Sequence, residues 1–335
     1  MGPHLAPLTQ TLARHECHRH DFGHRFRSDV IFLRVFGCEE CRCSAHTART
    51  LGLCNAFMST NTVTLDTDSV FVPIASGSSG DNEWSEHTVI YGCVSVGNVP
   101  QLAIDLLVST LIESRECRLV GHLYSPALMP LSGPDPYRFG GQTLATSAQV
   151  FECKARKLLI IQQRTPLYKE SRQQFFDSLA KWLSTAGVKR VVLLSSSFIE
   201  HLVEALDSGD CYPIKCLPNE THSRAADQTL ATNWRAVARV DPFTLQPSPD
   251  GRIHLPGSGS LKELLKSMDK TGVSAIGLVL YCSEGDNRPH SYAFANAVNQ
   301  WLSLIDFKTT AGVKTWIVPF SWRHLFGEEP PKEIY

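Results

Sequence analysis

The sequence predicts an α/β protein with a mostly parallel sheet and helices on both faces. Three observations carry this. From about Val70, short apolar runs of strand length alternate with helices of 3.6-residue period. Apolar residues make up 43% of the chain and charged residues 19%, a balance that suits a packed core. The 335 residues are enough for one large domain or two small ones.

The elements follow in order. Thr88 to Val94 reads as a buried strand. Val96-Gly97-Asn98-Val99-Pro100 is a turn opening a helix, with Asn98 as N-cap and Pro100 in the first turn. The helix Gln101 to Glu113 is apolar nearly all round, broken only by Asp105, so it must be buried on more than one side. Its far side needs a neighbouring element or a partner chain. Leu119 to Tyr124 is a strand and Ser125 to Gln142 a Pro- and Gly-rich loop. Ser147 to Cys153 and Lys157 to Gln163 are neighbouring strands that can form a hairpin. Ser171 to Ala186 is an amphipathic helix ended by Gly187, and Val188 to Ser195 is a buried strand. The stretch from Ile199 to Pro256 shows no clear period. Ser260 caps a helix through Lys270, Val273 to Tyr281 is a strand, and Pro289 to Ile305 is a helix.

Residues 1–57 differ. They hold Cys17, Cys38, Cys41, Cys43 and Cys54 with six histidines, yet show no sustained period. A zinc site is the minor reading, because Cys38-x-x-Cys41 has no second well-spaced pair. A disordered extension, or a natural start at Met58, fits the composition shift better. The expected organisation is an extension over 1–57, a single α/β domain over 58–327, and an extended tail over 328–335.

Several function classes are disfavoured. The 32 basic and 33 acidic residues give a net charge of -1, which removes the electrostatic argument for a general nucleic-acid binder. No apolar run of about 18 residues suggests a membrane-spanning helix. No secretory signal is apparent, so the 11 cysteines are expected as thiols. Phosphate-loop, dinucleotide and His-Glu-x-x-His motifs are missing from the sequence. Gly77-Ser78-Ser79-Gly80 lacks nucleophile-elbow spacing, and Ser195-Ser196-Ser197 has no assignable base. Gly257-Ser258-Gly259 reads as a flexible turn.

In an open α/β sheet, ligands bind beyond the carboxyl ends of the strands. Gly97-Asn98 and Ser283-Glu284-Gly285-Asp286-Asn287 fall there. Glu284 and Asp286 can serve acid–base or metal chemistry. The turn preferences of these residues favour a simple turn, with Asp286 or Asn287 capping the next helix. At the other end, Trp316 to Gly327 is dense in aromatics and is expected to clasp the domain. The tail Glu328-Glu329-Pro330-Pro331-Lys332-Glu333-Ile334-Tyr335 is extended by its prolines and ends in two anchor side chains.

Val94-Ser95-Val96-Gly97-Asn98-Val99, with Gln101-Leu102-Ala103 and Asp105-Leu106, resembles the signature of the proteasome assembly chaperone family. So do Arg156-Lys157-Leu158, Val192 to Ser197, Ser283 to Asn287 and Ser321-Trp322-Arg323-His324-Leu325-Phe326-Gly327, in the same order. The resemblance implies a three-layer α/β/α, nucleoside-phosphorylase-like fold without catalysis or cofactor. It implies a heterodimer with proteasome assembly chaperone 1 that binds proteasome α-subunits and promotes assembly of the 20S α-ring, in cytoplasm and nucleus. Gly97, Asn98, Leu102 and Leu106 become candidate partner-interface residues, and Ile334 and Tyr335 candidates for docking on the α-ring. Such chaperones often end in hydrophobic-Tyr-any residue, and here the final residue is missing. The alternative is a nucleoside- or phosphate-binding enzyme of the same fold, with Gly97, Asn98, Glu284 and Asp286 at its site.

Overall fold

The computed structural model describes residues 69–74, 84–202, 211–224, 234–241, 244, 246, 248, 251–308 and 313–324. The expectations for residues 1–57, for Gly77-Ser78-Ser79-Gly80 and for the tail with Ile334 and Tyr335 lie outside these residues.

The strands are β1 (Phe71–Pro73), β2 (Thr88–Gly92), β3 (Arg118–Leu123), β4 (Ser132–Gly133), β5 (Ala145–Thr146), β6 (Ala148–Cys153), β7 (Leu158–Gln163), β8 (Arg190–Phe198), β9 (Ile214–Pro218) and β10 (Ala275–Cys282). The helices are α1 (Val99–Glu113), α2 (Arg172–Thr185), α3 (Glu220–Arg224), α4 (Leu261–Lys270) and α5 (Arg288–Leu302). Eight strands form one mixed sheet in the order β1-β3-β6-β7-β2-β8-β10-β9. Its centre, β7-β2-β8-β10, is parallel throughout. β6 joins β7 as the antiparallel hairpin that the sequence allowed, and β1 and β9 close the edges antiparallel.

Every residue of β7 and β10 is buried, as expected where helices cover both faces. Side chains alternate between the two faces. Ile90, Ile160, Val192 and Leu278 point to the layer of α1 and α5. Val89, Leu159, Val191 and Val279 point to α2 and α4. The result is the three-layer α/β/α arrangement. Neither edge invites a further strand. β9 is paired on its outer side through Cys216 with Ala236, and β1 ends in Pro73, which has no N–H to donate.

The apolar helix α1 finds its cover inside its own chain. α5 packs along it, and Trp316 and Trp322 of the C-terminal segment join the same core. The Ile317 N–H donates to the Thr110 hydroxyl at 3.0 Å. Leu106 is 0% exposed, so its chain leaves it no surface for a partner, and Leu102 is half-buried. Burying a leucine in this way stabilises by about 1.5–3 kcal/mol, which is why the chain supplies the cover itself. Asn98 sits at the N-cap position, but its backbone is left-handed and its side chain makes no capping hydrogen bond. The expectation of a side-chain cap is therefore corrected. Ser260 likewise precedes α4 without capping through its hydroxyl.

Candidate functional site

The carboxyl ends of β2, β8 and β10 meet, and the two polar clusters that the sequence put there do come together. Gly97 has φ +66°, and a Cβ on it would overlap the amide of Asn287. Asn287 is buried and donates to the Ser283 and Gly285 carbonyls at 2.9 and 3.3 Å, which closes the turn. Glu284 and Asp286 stay exposed on the outside of that turn. Asp286 pairs with Arg288 at 2.6 Å and accepts the Arg288 backbone N–H at 3.1 Å. The Arg288 side chain holds this carboxyl below the usual range. The pair therefore forms the turn reading rather than an inward-facing acid–base site.

The rest of the crevice is filled. The serines of β8 are fully buried, and each hydroxyl donates to a backbone carbonyl: Ser195 to Ser258 at 2.9 Å, Ser196 to Val96 at 2.5 Å, Ser197 to Pro256 at 2.8 Å. The segment Leu255–Ser260 lies across the strand ends, with Val96 N–H donating to Gly257 O at 2.9 Å. Gly259 has φ +59°, and a Cβ there would overlap the Val94 carbonyl oxygen. Gly257 and Gly259 are thus required by close approach, not by flexibility. Two thiols border the crevice. Burial pushes the Cys93 thiol far up and the Cys282 thiol up to about 11, so neither is a thiolate at neutral pH. Among the described residues, no group of three His, Cys, Asp or Glu side chains is arranged to hold a metal ion.

At the same end of the sheet, the excursion from Tyr124 to Ser147 is open. It is anchored at several points. Leu128 bridges Leu167, Met129 N–H donates to Pro166 O at 3.3 Å, and β4 pairs with β5. The strongest anchor is polar. Tyr137 donates its hydroxyl to Asp105 of α1 at 3.0 Å, and Arg164 pairs with the same carboxylate at 3.0 Å. Gln162 adds a bond to Asp105 at 2.8 Å. Burial opposes charge on Arg164, but the adjacent Asp105 outweighs it and holds the guanidinium protonated. Burial, then Asp105, pushes the Tyr137 phenol up, so it stays a donor. Ser321 N–H donates to Pro136 O at 3.0 Å and ties the C-terminal segment to the excursion.

This anchored frame displays large apolar side chains. Phe139 is 85% exposed, Leu144 61% and Tyr124 60%, with Leu131, Met129, Tyr168 and Val318 also exposed. These side chains leave apolar surface in water on an excursion fastened to the core through Asp105. Sequence reasoning noted Asp105 as a break in an apolar helix but missed its partners. It also passed over Phe139. The signal available was an aromatic–Arg–aromatic triplet, Tyr137-Arg138-Phe139, inside a Pro- and Gly-rich loop.

The fold and this site define a three-layer α/β/α protein with sealed strand ends and an exposed apolar rim. The chain belongs to the PAC2 family, whose model matches residues 89–313. It is 33% identical over 264 residues to Proteasome assembly chaperone 2 of Danio rerio, a match covering 77% of this chain and 99% of that one. It is 31% identical over 269 residues to the protein of that name in Xenopus tropicalis, covering 79% and 100%. The Homo sapiens protein is 30% identical over 256 residues, covering 74% and 94%. Among solved structures, Pyrococcus furiosus PbaB, an archaeal proteasome activator, aligns at 15% identity and a TM-score of 0.49, over 72% of this chain and 93% of that one.

Proposed function

We propose that the chain is a non-catalytic proteasome assembly chaperone. In this reading it pairs with proteasome assembly chaperone 1, binds proteasome α-subunits and promotes assembly of the 20S α-ring, in cytoplasm and nucleus and without a cofactor. Residues 58–327 act as one domain, and Ile334 and Tyr335 of the tail dock on the α-ring. The observation that carries the reading is similarity over nearly the whole length of relatives named Proteasome assembly chaperone 2. The site supports it, because the strand-end crevice is occupied by the chain's own backbone while an apolar rim faces outward.

The test is affinity purification of the tagged full chain from cells, with mass spectrometry of the companions. Recovery of a homologous α/β partner and proteasome α-subunits is expected. A chain that recovers neither, and whose melting temperature rises with a nucleoside or phosphate, would overturn the reading. Deleting Lys332 to Tyr335 is expected to weaken capture of α-subunits. Unchanged capture would remove the tail from the account.

A further inference from the structure

Two cysteines stand opposite each other where β3 begins and β6 ends. The two strands are antiparallel, with Leu119 against Phe151 and Arg118 against Glu152. One further step in that register sets Cys117 against Cys153, the last residue of β6. The faces agree. Alternation puts Cys117 with Leu119 on one side of β3, and Phe151 with Cys153 on one side of β6. Phe151 and Cys153 belong to the core under α1 and α5, and Cys117 and Leu119 pack against it. On the opposite face Arg118 pairs with Glu152 at 2.8 Å, which pins the register. The Cys117 N–H is spent on the Leu111 carbonyl of α1, at 3.1 Å. The cysteines therefore form a non-hydrogen-bonded cross-strand pair, the kind in which opposed Cα atoms stand about 4.5 Å apart. A disulfide spans Cα separations of about 4.4–6.8 Å. The side chains meet as well, because the two thiols are hydrogen-bonded to each other.

We infer that Cys117 and Cys153 are a reversible disulfide site, closed by a small dialkyl disulfide such as oxidised glutathione. The Cys117 thiolate attacks one sulfur of the oxidant, and one glutathione leaves as its thiolate. Cys153 then gives its proton to solvent and attacks the Cys117 Sγ, and the second glutathione leaves. The protein loses two S–H bonds and gains one S–S bond, while the oxidant is reduced to two molecules of glutathione. Cys117 is the point of entry, because it is half-buried while Cys153 is 0% exposed. The hydrogen bond with Cys153, then burial, holds the Cys117 thiol well above the usual thiol range. The thiolate is the attacking form, so closure is slow at neutral pH and quickens in alkali. The bond closes a loop over residues 117–153 that contains the whole Tyr124–Ser147 excursion. A link across so long a loop restricts the unfolded chain, so the oxidised protein is the more stable one. None of this depends on the proposed function.

The test incubates the purified full chain with oxidised glutathione at about pH 8 without denaturant, blocks the remaining thiols with iodoacetamide, and maps tryptic peptides by mass spectrometry. The expected product joins Glu116–Arg118 to Phe139–Lys154 and disappears on treatment with dithiothreitol. Cys211 is exposed, takes up glutathione under the same conditions and reports that the oxidant is active. The rate of closure is expected to rise about tenfold per pH unit, as the thiolate fraction of Cys117 does. The oxidised chain is expected to melt about 5–10 °C above the reduced one. Cys117→Ser should leave Cys153 unmodified, whereas Cys153→Ala should stop at a glutathione mixed disulfide on Cys117. Modified Cys211 with no linked peptide in the wild type would overturn the site. So would a linked peptide that forms only in urea, or one that joins either cysteine to a different partner. An oxidised chain that melts below the reduced one would show that the strands must distort to make the bond, and would overturn the site as well.

Discussion

Two regions at one end of the same sheet have opposite characters. The ends of β2, β8 and β10 are sealed: serine hydroxyls are spent on backbone carbonyls, and Gly259 is pressed against Val94. The Tyr124–Ser147 excursion is open, with Phe139 almost fully in water. Yet the open region is not loose, because Asp105, Tyr137 and Arg164 fasten it to the core. The contrast shows that the strand ends of this fold can be filled by the chain's own backbone while apolar side chains are displayed on a fastened excursion beside them. Rigid support lowers the entropy cost of recognition, as an ordered surface loses less freedom on binding than a floppy one.

The largest expected effect attacks the fastening. Asp105→Ala leaves the Arg164 guanidinium, whose side chain is 17% exposed, without its carboxylate and should cost about 3 kcal/mol. Urea unfolding followed by circular dichroism measures it, and a loss near zero would mean the excursion is held elsewhere. Next comes the seal. Gly259→Ala forces a Cβ toward the Val94 carbonyl at a left-handed backbone position, with an expected cost of about 1–3 kcal/mol. An unchanged midpoint would show that the segment over the strand ends yields easily. Ser196→Ala removes one of the hydroxyl bonds inside the seal and should cost about 1 kcal/mol by the same assay.

Acid sharpens the comparison from outside both regions. The bonded Arg156, at 2.5 and 3.0 Å, holds the Glu116 carboxyl below the usual range. A carboxyl depressed in the folded state adds stability above its unfolded pKa and loses it as pH falls through the folded pKa. Wild type should therefore exceed Glu116→Gln in stability at neutral pH, and the gap should close well below the carboxylate range. A gap that persists in acid would mean that packing, not charge, is responsible. The smallest effect on stability belongs to the rim. Phe139→Ala should change unfolding by no more than about 0.5 kcal/mol, and Glu284→Ala is expected to change it as little. A large loss of stability with Phe139→Ala would mean that the ring is structural.

The parallel centre of the sheet was legible because each strand there is a continuous apolar run and each helix has a clear period. β9 was not, since Ile214–Pro218 is short, includes Lys215 and ends in proline, and gains its place only by pairing with β10. Asp105 was visible as an anomaly in α1, but Arg164 lies 59 residues away, and only the packing of α1 on β7 joins them. Gly257-Ser258-Gly259 looked like a flexible turn because glycine's local signal does not distinguish freedom from crowding. Leu106 looked available because the sequence shows that a helix needs cover without showing who provides it. The Glu284–Asp286 turn follows its local preferences, although Asn287 precedes α5 without a side-chain capping bond because its amide is turned back to the Ser283 and Gly285 carbonyls.

The bond between Thr110 and Ile317 spans 207 positions of the chain. One of the earliest helices to be synthesised thus waits for one of the last segments before its outer flank is shielded. A nascent chain halted before Trp316 would have α5 in place against α1 but would lack the last segment over Thr110, so translation pauses in the final stretch would leave that flank open to water.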